Sequence, residues 1–219
     1  MKIFLDTANL AAIEKWAVKG ILDGITTNPT LLSREGGDPV ENIKEICAVM
    51  MDMDVSVEVT ETDPDKLYKQ AKEIAKLAKN VVVKVPCYKD YYVTIRKLIA
   101  EGIPLNITLV FSLAQSLMMC KLGVRYISPF IGRLNDIGDD GAALLYNIRN
   151  MIDGYGYETQ MLAASIRGVH DLNDAIMAGS DVATVPVDVL EKATEHVLTD
   201  KGMKLFTADW KKLGIKQFP

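Results

Sequence analysis

Lys84 stands in the run Val81-Val82-Val83-Lys84-Val85-Pro86, where every neighbour favours burial. A charged amine is costly in such a setting. Two chemistries fit it. One is an ion pair with a carboxylate such as Glu58 or Asp6. The other is nucleophilic. Burial disfavours an ammonium and enlarges its neutral fraction, which attack on a carbonyl requires. The protonated imine that results is an electron sink. Glu58 and Asp6 likewise read either as counter-ions or as the acids and bases that imine formation and carbon–carbon cleavage need. His170 and His196 fall in expected helices or at their starts, on the surface, which leaves carboxylates for proton transfer.

Short β-branched runs alternate with longer helical patterns along the chain. Expected strands are 2–6, 22–28, 54–60, 80–86, 103–109, 124–130, 159–165 and 181–186. In 64–79, Leu67, Ala71, Ile74, Ala75 and Ala78 recur at helical spacing, and Asp63-Pro64 is a cap followed by proline at the first helical position. Eight strands, each followed by a helix, predict a single-domain parallel (β/α)8 TIM barrel over 1–219. The chain is shorter than the usual ~250 residues, so the barrel must be compact. The competing open doubly wound sheet lacks its glycine-rich fingerprint here. Residues 203–213 predict an extra C-terminal helix. Phe206 and Trp210 lie four apart on it, so an aromatic face should be buried, on this barrel or on a neighbouring subunit.

Side chains alternate faces along a strand. Val55, Val57 and Val59 oppose Ser56, Glu58 and Thr60; Val83 and Val85 oppose Val82 and Lys84. Leu105, Ile107 and Leu109 oppose Asn106 and Thr108; Ile3 and Leu5 oppose Phe4 and Asp6; Ile25 and Thr27 oppose Thr26 and Asn28. If the aliphatic set faces the helices, then Asp6, Asn28, Glu58, Lys84, Asn106 and Thr108 point into the barrel. Each lies near the C-terminal end of its strand, where barrel enzymes place their chemistry. Arg133, in Ser128-Pro129-Phe130-Ile131-Gly132-Arg133, and Arg167, in Ser165-Ile166-Arg167, belong to successive loops at that end. Two guanidinium forks beside a serine suit a phosphate monoester; two surface arginines are the alternative.

Other features have plainer readings. Asn135, Asp136, Asp139 and Asp140 lack calcium-loop spacing. Met50, Met51 and Met53 read as packing at a helix end. Ser112 and Ser116 form no nucleophile elbow. Cys47, Cys87 and Cys120 show no metal or disulfide spacing and predict reduced thiols in the cytoplasm. The net charge of -4, with scattered basic residues, argues against a nucleic-acid surface. No stretch reaches the ~20 apolar residues of a membrane span, and Lys2–Asp6 reads as a strand instead of a signal peptide.

The segments LDTAN at 5–9, GITTNPTLL at 24–32, VEVT at 57–60, VVVKVP at 81–86, GIPLNITLVFS at 102–112, SPFIGR at 128–133 and ASIR at 164–167 resemble the small-transaldolase family, in order and along essentially the whole chain. The resemblance implies a class I aldolase barrel that moves a dihydroxyacetone unit between sugar phosphates. In it Lys84 matches the Schiff-base lysine. Glu58 and Thr108 match residues that hold a water used in imine formation and hydrolysis. Asp6 matches the acid/base for the hydroxyl proton. Asn28 and Asn106 match amides that bind the dihydroxyacetone hydroxyls, with Ser128 beside them and Thr26 and Phe130 in the same substrate group. Arg133, Ser165 and Arg167 match phosphate contacts. No cofactor or metal is implied, and a pentameric or decameric homo-oligomer is.

The sister fructose-6-phosphate aldolases share the barrel and the lysine. They tend to carry glutamine at the Glu58 position and tyrosine at Phe130, and lack the counterparts of Asn106 and Arg167. This chain follows the transaldolase pattern there. Release of free dihydroxyacetone is the runner-up activity, and a non-catalytic sugar-phosphate-binding barrel is the third reading.

Overall fold

A computed structural model describes residues 1–214. Eight parallel strands close into a barrel in sequence order: β1 (Lys2–Asp6), β2 (Gly24–Thr26), β3 (Asp54–Glu58), β4 (Val81–Pro86), β5 (Leu105–Val110), β6 (Tyr126–Pro129), β7 (Gln160–Ala163) and β8 (Val182–Pro186), which pairs back on β1. Helices follow every strand: α1 (Leu10–Ala17), α2 (Pro29–Glu35) and α3 (Pro39–Val49) after β2, α4 (Pro64–Ala75), α5 (Tyr92–Ala100), α6 (Leu113–Leu122), α7 (Ile131–Asp136) and α8 (Gly141–Tyr155) after β6, α9 (Val169–Met177), and α10 (Val187–Ala193) with α11 (Val197–Lys212) last. This is the expected (β/α)8 barrel with its added helix.

Strand parity produces two separate apolar layers. Leu5, Ile25, Val55, Val57, Val83, Val85, Leu105 and Ile107 pack outward against the helices. Phe4, Val82, Tyr126, Leu162, Ala164 and Val182 pack inside as the barrel floor. Tyr126 donates to Asp54 Oδ2 at 2.6 Å, and Arg125 pairs with the same oxygen at 2.7 Å, closing the N-terminal end. Gly24 makes room for this floor: a Cβ there would lie 2.6 Å from the Phe4 ring. Apart from Asp54, whose carboxylate is taken up by Tyr126 and Arg125, the floor is apolar, and the polar residues that reach the cavity gather at the opposite end of the strands.

Element ends differ from the sequence expectation. The run 22–28 yields only Gly24–Thr26, because Asn28 leaves the sheet to cap α2 through Leu31 N at 2.9 Å. Helix α4 ends at Ala75 instead of residue 79; the Lys76 N–H bonds to Glu73 O and Ile74 O, and the chain turns toward β4. Leu109 does not join the outer face with Ile107. A bulge shifts the β5–β6 register between Ile107 and Val110, and Leu109 takes φ +57°, turning it toward the cavity. Helix α11 begins at Val197, before the expected 203, and has no buried residue. Among the described residues the aromatic face of this helix is not buried: Phe206 is 71% and Trp210 40% exposed. The barrel's outer face is already covered by the preceding helices. Of the methionines, Met50 packs in the core, whereas Met51 and Met53 are exposed. Among the described residues no helix is long and apolar enough to cross a membrane.

Candidate active site

Parallel register sets the site. Glu58 pairs with Lys84 across β3 and β4, and Lys84 pairs with Asn106 across β4 and β5. Three inward residues on one rung therefore bring a carboxylate, an amine and an amide side by side. On the strands that continue the sheet beyond β3, Asp6 pairs with Thr26 across β1 and β2.

The Lys84 amine is nearly enclosed. Its Nζ lies 3.1 Å from Glu58 Oε2, with side-chain exposures of 7% and 14%, and it donates to the Thr27 carbonyl at 3.2 Å. Thr27 is itself fixed to β3, its N–H and hydroxyl both donating to Ser56 O at 3.0 and 2.8 Å. The ion-pair reading of Lys84 is thus present in the geometry, and the paired amine lines the cavity.

Asp6 is held differently. Thr26 Oγ1 donates to Asp6 Oδ1 at 2.8 Å, and Thr26 Oγ1 lies 2.5 Å from Thr184 Oγ1. Burial pushes the Asp6 carboxyl above the usual carboxylate range; the Lys84 charge and the Thr26 bond pull it back in part.

Asn106 is fully buried. It donates from Nδ2 to Ser56 Oγ at 3.1 Å and accepts from Ser128 at 2.6 Å. It therefore lies beneath the cavity surface, bound to Ser128, which does line it. Thr108 Oγ1 is buried without a partner among the described residues.

The loops after β6 and β7 are stitched together. Ile131 and Gly132 donate to Ala164 O and Ser165 O, each at 3.1 Å. Close approach requires glycine at 132, since a Cβ would meet Ser165 O at 2.1 Å and Arg167 Cγ at 2.8 Å. Ser165 sits at φ +62°, an uncommon conformation for a non-glycine residue. Arg133 lies on the short helix α7 instead of a loop, its guanidinium 5.2 Å from the Phe130 ring centre. Arg167 is paired with Asp136 at 2.9 Å.

These groups surround a cavity of about 580 Å³ at the C-terminal mouth of the barrel. Lys84, Glu58, Asp6, Thr108, Asn28, Thr26, Ser128, Phe130, Arg133, Ser165 and Arg167 line it; Asn106 supports it from below. Sequence reasoning missed Thr184, Leu31 and Arg34, which also line it. Parity could have found Thr184, which alternates with Ala183 and Val185 as Lys84 does with valines. Arg34 carries no such signal; only the placement of α2 over the mouth brings it there.

Burial pushes the thiol of Cys87 up to about 11, which leaves little thiolate at neutral pH. Among the described residues no cluster of His, Cys, Asp and Glu could hold a metal ion. The acidic loop has structural tasks instead: Asn135 Oδ1 accepts from Gly141 N, and Asp140 caps α8.

Fold and site together define a barrel enzyme with its polar groups gathered at the strand C-termini. Residues 3–217 match the family described as Transaldolase/Fructose-6-phosphate aldolase, and the chain belongs to that family. It is 48% identical over 217 residues to a probable transaldolase of Parvibaculum lavamentivorans, covering 99% of each chain. It is 47% identical over 211 residues to a probable transaldolase of Lactiplantibacillus plantarum, covering 96% of this chain and 97% of that one. Probable transaldolase 2 of Listeria monocytogenes is 44% identical over 217 residues, 99% of each.

Proposed function

We propose that this protein is a transaldolase that transfers a dihydroxyacetone unit between sugar phosphates through an imine on Lys84. Fructose 6-phosphate or sedoheptulose 7-phosphate is the donor, and erythrose 4-phosphate or glyceraldehyde 3-phosphate the acceptor, a step of the non-oxidative pentose phosphate pathway. The observation that carries this reading is the Lys84 amine, held inside the cavity by Glu58 Oε2 and the Thr27 carbonyl.

Glu58 takes a proton from the Lys84 ammonium, the free amine attacks the donor ketone carbon, and a proton passes from the nitrogen to the new alkoxide to give the carbinolamine. Glu58 returns the proton to the carbinolamine hydroxyl, which leaves as water, with Thr108 beside it. The protonated imine remains. Asp6 removes the proton of the hydroxyl on the far carbon of the breaking bond. That oxygen becomes the aldehyde, the carbon–carbon bond breaks, and its electron pair flows to the imine nitrogen as an enamine. The aldose phosphate leaves, an acceptor aldehyde enters, and the steps reverse. Arg133, Ser165 and Arg167 hold the phosphate; Asn28, Thr26, Ser128 and Phe130 line the three-carbon end, with Asn106 behind Ser128. The imine is the electron sink, so the reading calls for no metal or organic cofactor.

The second reading is release of free dihydroxyacetone, since the family description covers both activities. Fructose 6-phosphate supplied with and without erythrose 4-phosphate separates them. Turnover that requires the acceptor is expected; rapid release of dihydroxyacetone without it favours the aldolase. The free thiols Cys47, Cys87 and Cys120 suit a reducing compartment, and we assign the enzyme to the cytoplasm. We also assign it a homo-oligomeric state, through the apolar surface of α11 (Val197 76%, Leu198 64% and Phe206 71% exposed).

A further inference from the structure

Thr184 belongs to no part of the mechanism above, yet it is 4% exposed and lines the cavity beside the Asp6–Thr26 pair. Strand order explains the grouping. β1 lies between β2 and β8, so Thr26 from one neighbour and Thr184 from the other meet in front of β1. Proton counting fixes the direction of the bonds. A threonine hydroxyl has one proton to donate. Thr26 spends its proton on Asp6 Oδ1 at 2.8 Å. With Asp6 as the carboxylate, the 2.5 Å contact between Thr26 Oγ1 and Thr184 Oγ1 has Thr184 as donor. The chain runs Thr184 to Thr26 to Asp6. It ends on one carboxylate oxygen and leaves Oδ2 for the substrate hydroxyl.

We propose that Thr184 is a positioning residue for the Asp6 acid/base: acting through Thr26, it anchors Oδ1, reserves Oδ2 for the reacting proton and sets the pH at which Asp6 is ready to accept it. Hydroxyls in series polarise one another, so the outer donor strengthens the inner bond. The chain favours the carboxylate form, in the same sense as the Lys84 charge and against the burial that pushes Asp6 up. The charged groups sharing the cavity with Asp6 are Lys84 on β4, Glu58 on β3, and Arg34, Arg133 and Arg167 at the mouth; Thr26 on β2 and Thr184 on β8 are its flanking hydroxyls. The inference rests on the proposed role of Asp6.

Thr184→Val keeps the shape and removes the donor; Thr184→Ser keeps the donor. Two readouts separate this inference from the role of Asp6. One is direct titration of Asp6 by carboxyl-carbon NMR, with Asp6→Asn identifying the signal. The other is the acid limb of kcat/KM against pH. In Thr184→Val both should move up by about half a pH unit, an activity loss of about threefold on the acid side that fades at higher pH. In Thr26→Val, where the direct bond is lost, the shift should be roughly one to two units. Thr184→Ser should follow the wild type. An Asp6 titration unmoved in Thr184→Val, or an activity loss equal at every pH, overturns the inference. A titration that moves while the kinetic limb stays supports the hydroxyl chain and instead removes Asp6 as the kinetic base.

Discussion

The Lys84 amine and the Glu58 carboxylate face each other at 3.1 Å on paired positions of adjacent strands, both nearly buried. Such a pair is weak evidence of stabilisation, because desolvation offsets most of its attraction. It is strong evidence of a held proton-transfer geometry, since 3.1 Å is hydrogen-bond distance. Glu58→Gln keeps the shape and removes the base. Imine formation, followed by rapid-quench trapping, should slow by about 10²–10⁴-fold. An unchanged rate of imine formation would assign Glu58 to charge balance alone.

Asp6 links the site to stability. Burial raises its folded value above the unfolded one, which is about 3.9. As pH rises, the unfolded chain therefore releases this proton first, and stability falls as pH climbs through the folded value. Asp6→Asn removes that loss. Its melting temperature relative to the wild type should rise between about pH 4 and about pH 8, while cleavage activity drops. A gap that is the same at both pH values contradicts the account.

Gly132 has no freedom to grow, with Ser165 O and Arg167 Cγ against it. Gly132→Ala should push the segments after β6 and β7 apart, destabilise by about 1–3 kcal/mol and, on the proposed phosphate site, raise KM for phosphorylated substrates. Arg167→Ala should raise the same KM without the stability loss, because its Asp136 partner is more than half exposed. A KM unchanged in Arg167→Ala removes this residue from the phosphate site.

The apolar residues of α11 give a prediction about assembly. Size-exclusion chromatography with light scattering should show a particle several times the mass of one chain. Leu198→Asp with Phe206→Asp should shift it to smaller species. A monomer in the wild type contradicts the assembly.

Much of this was legible because barrels turn sequence parity into position. Lys84, Glu58 and Asp6 stood out as charges out of step with valines and leucines, and the register then set Lys84 beside Glu58. Features that parity does not encode were missed. Leu109 turned inward at a bulge, which depends on local backbone conformation. Asn106 kept the predicted face, on the Lys84 rung, but is fully buried behind the cavity wall, because Ser56 and Ser128 engage its amide. Arg34 reached the cavity from a helix whose placement follows from packing. The aromatic residues on α11 marked a surface that needs covering, but not what covers it.

The central claim is covalent chemistry at Lys84, and borohydride trapping with fructose 6-phosphate tests it most directly. The account predicts a stable mass adduct of one three-carbon unit or one sugar phosphate per chain, mapped to the peptide containing Lys84 and absent from Lys84→Ala. No adduct in the active wild-type enzyme, or an adduct that persists in Lys84→Ala, would contradict it.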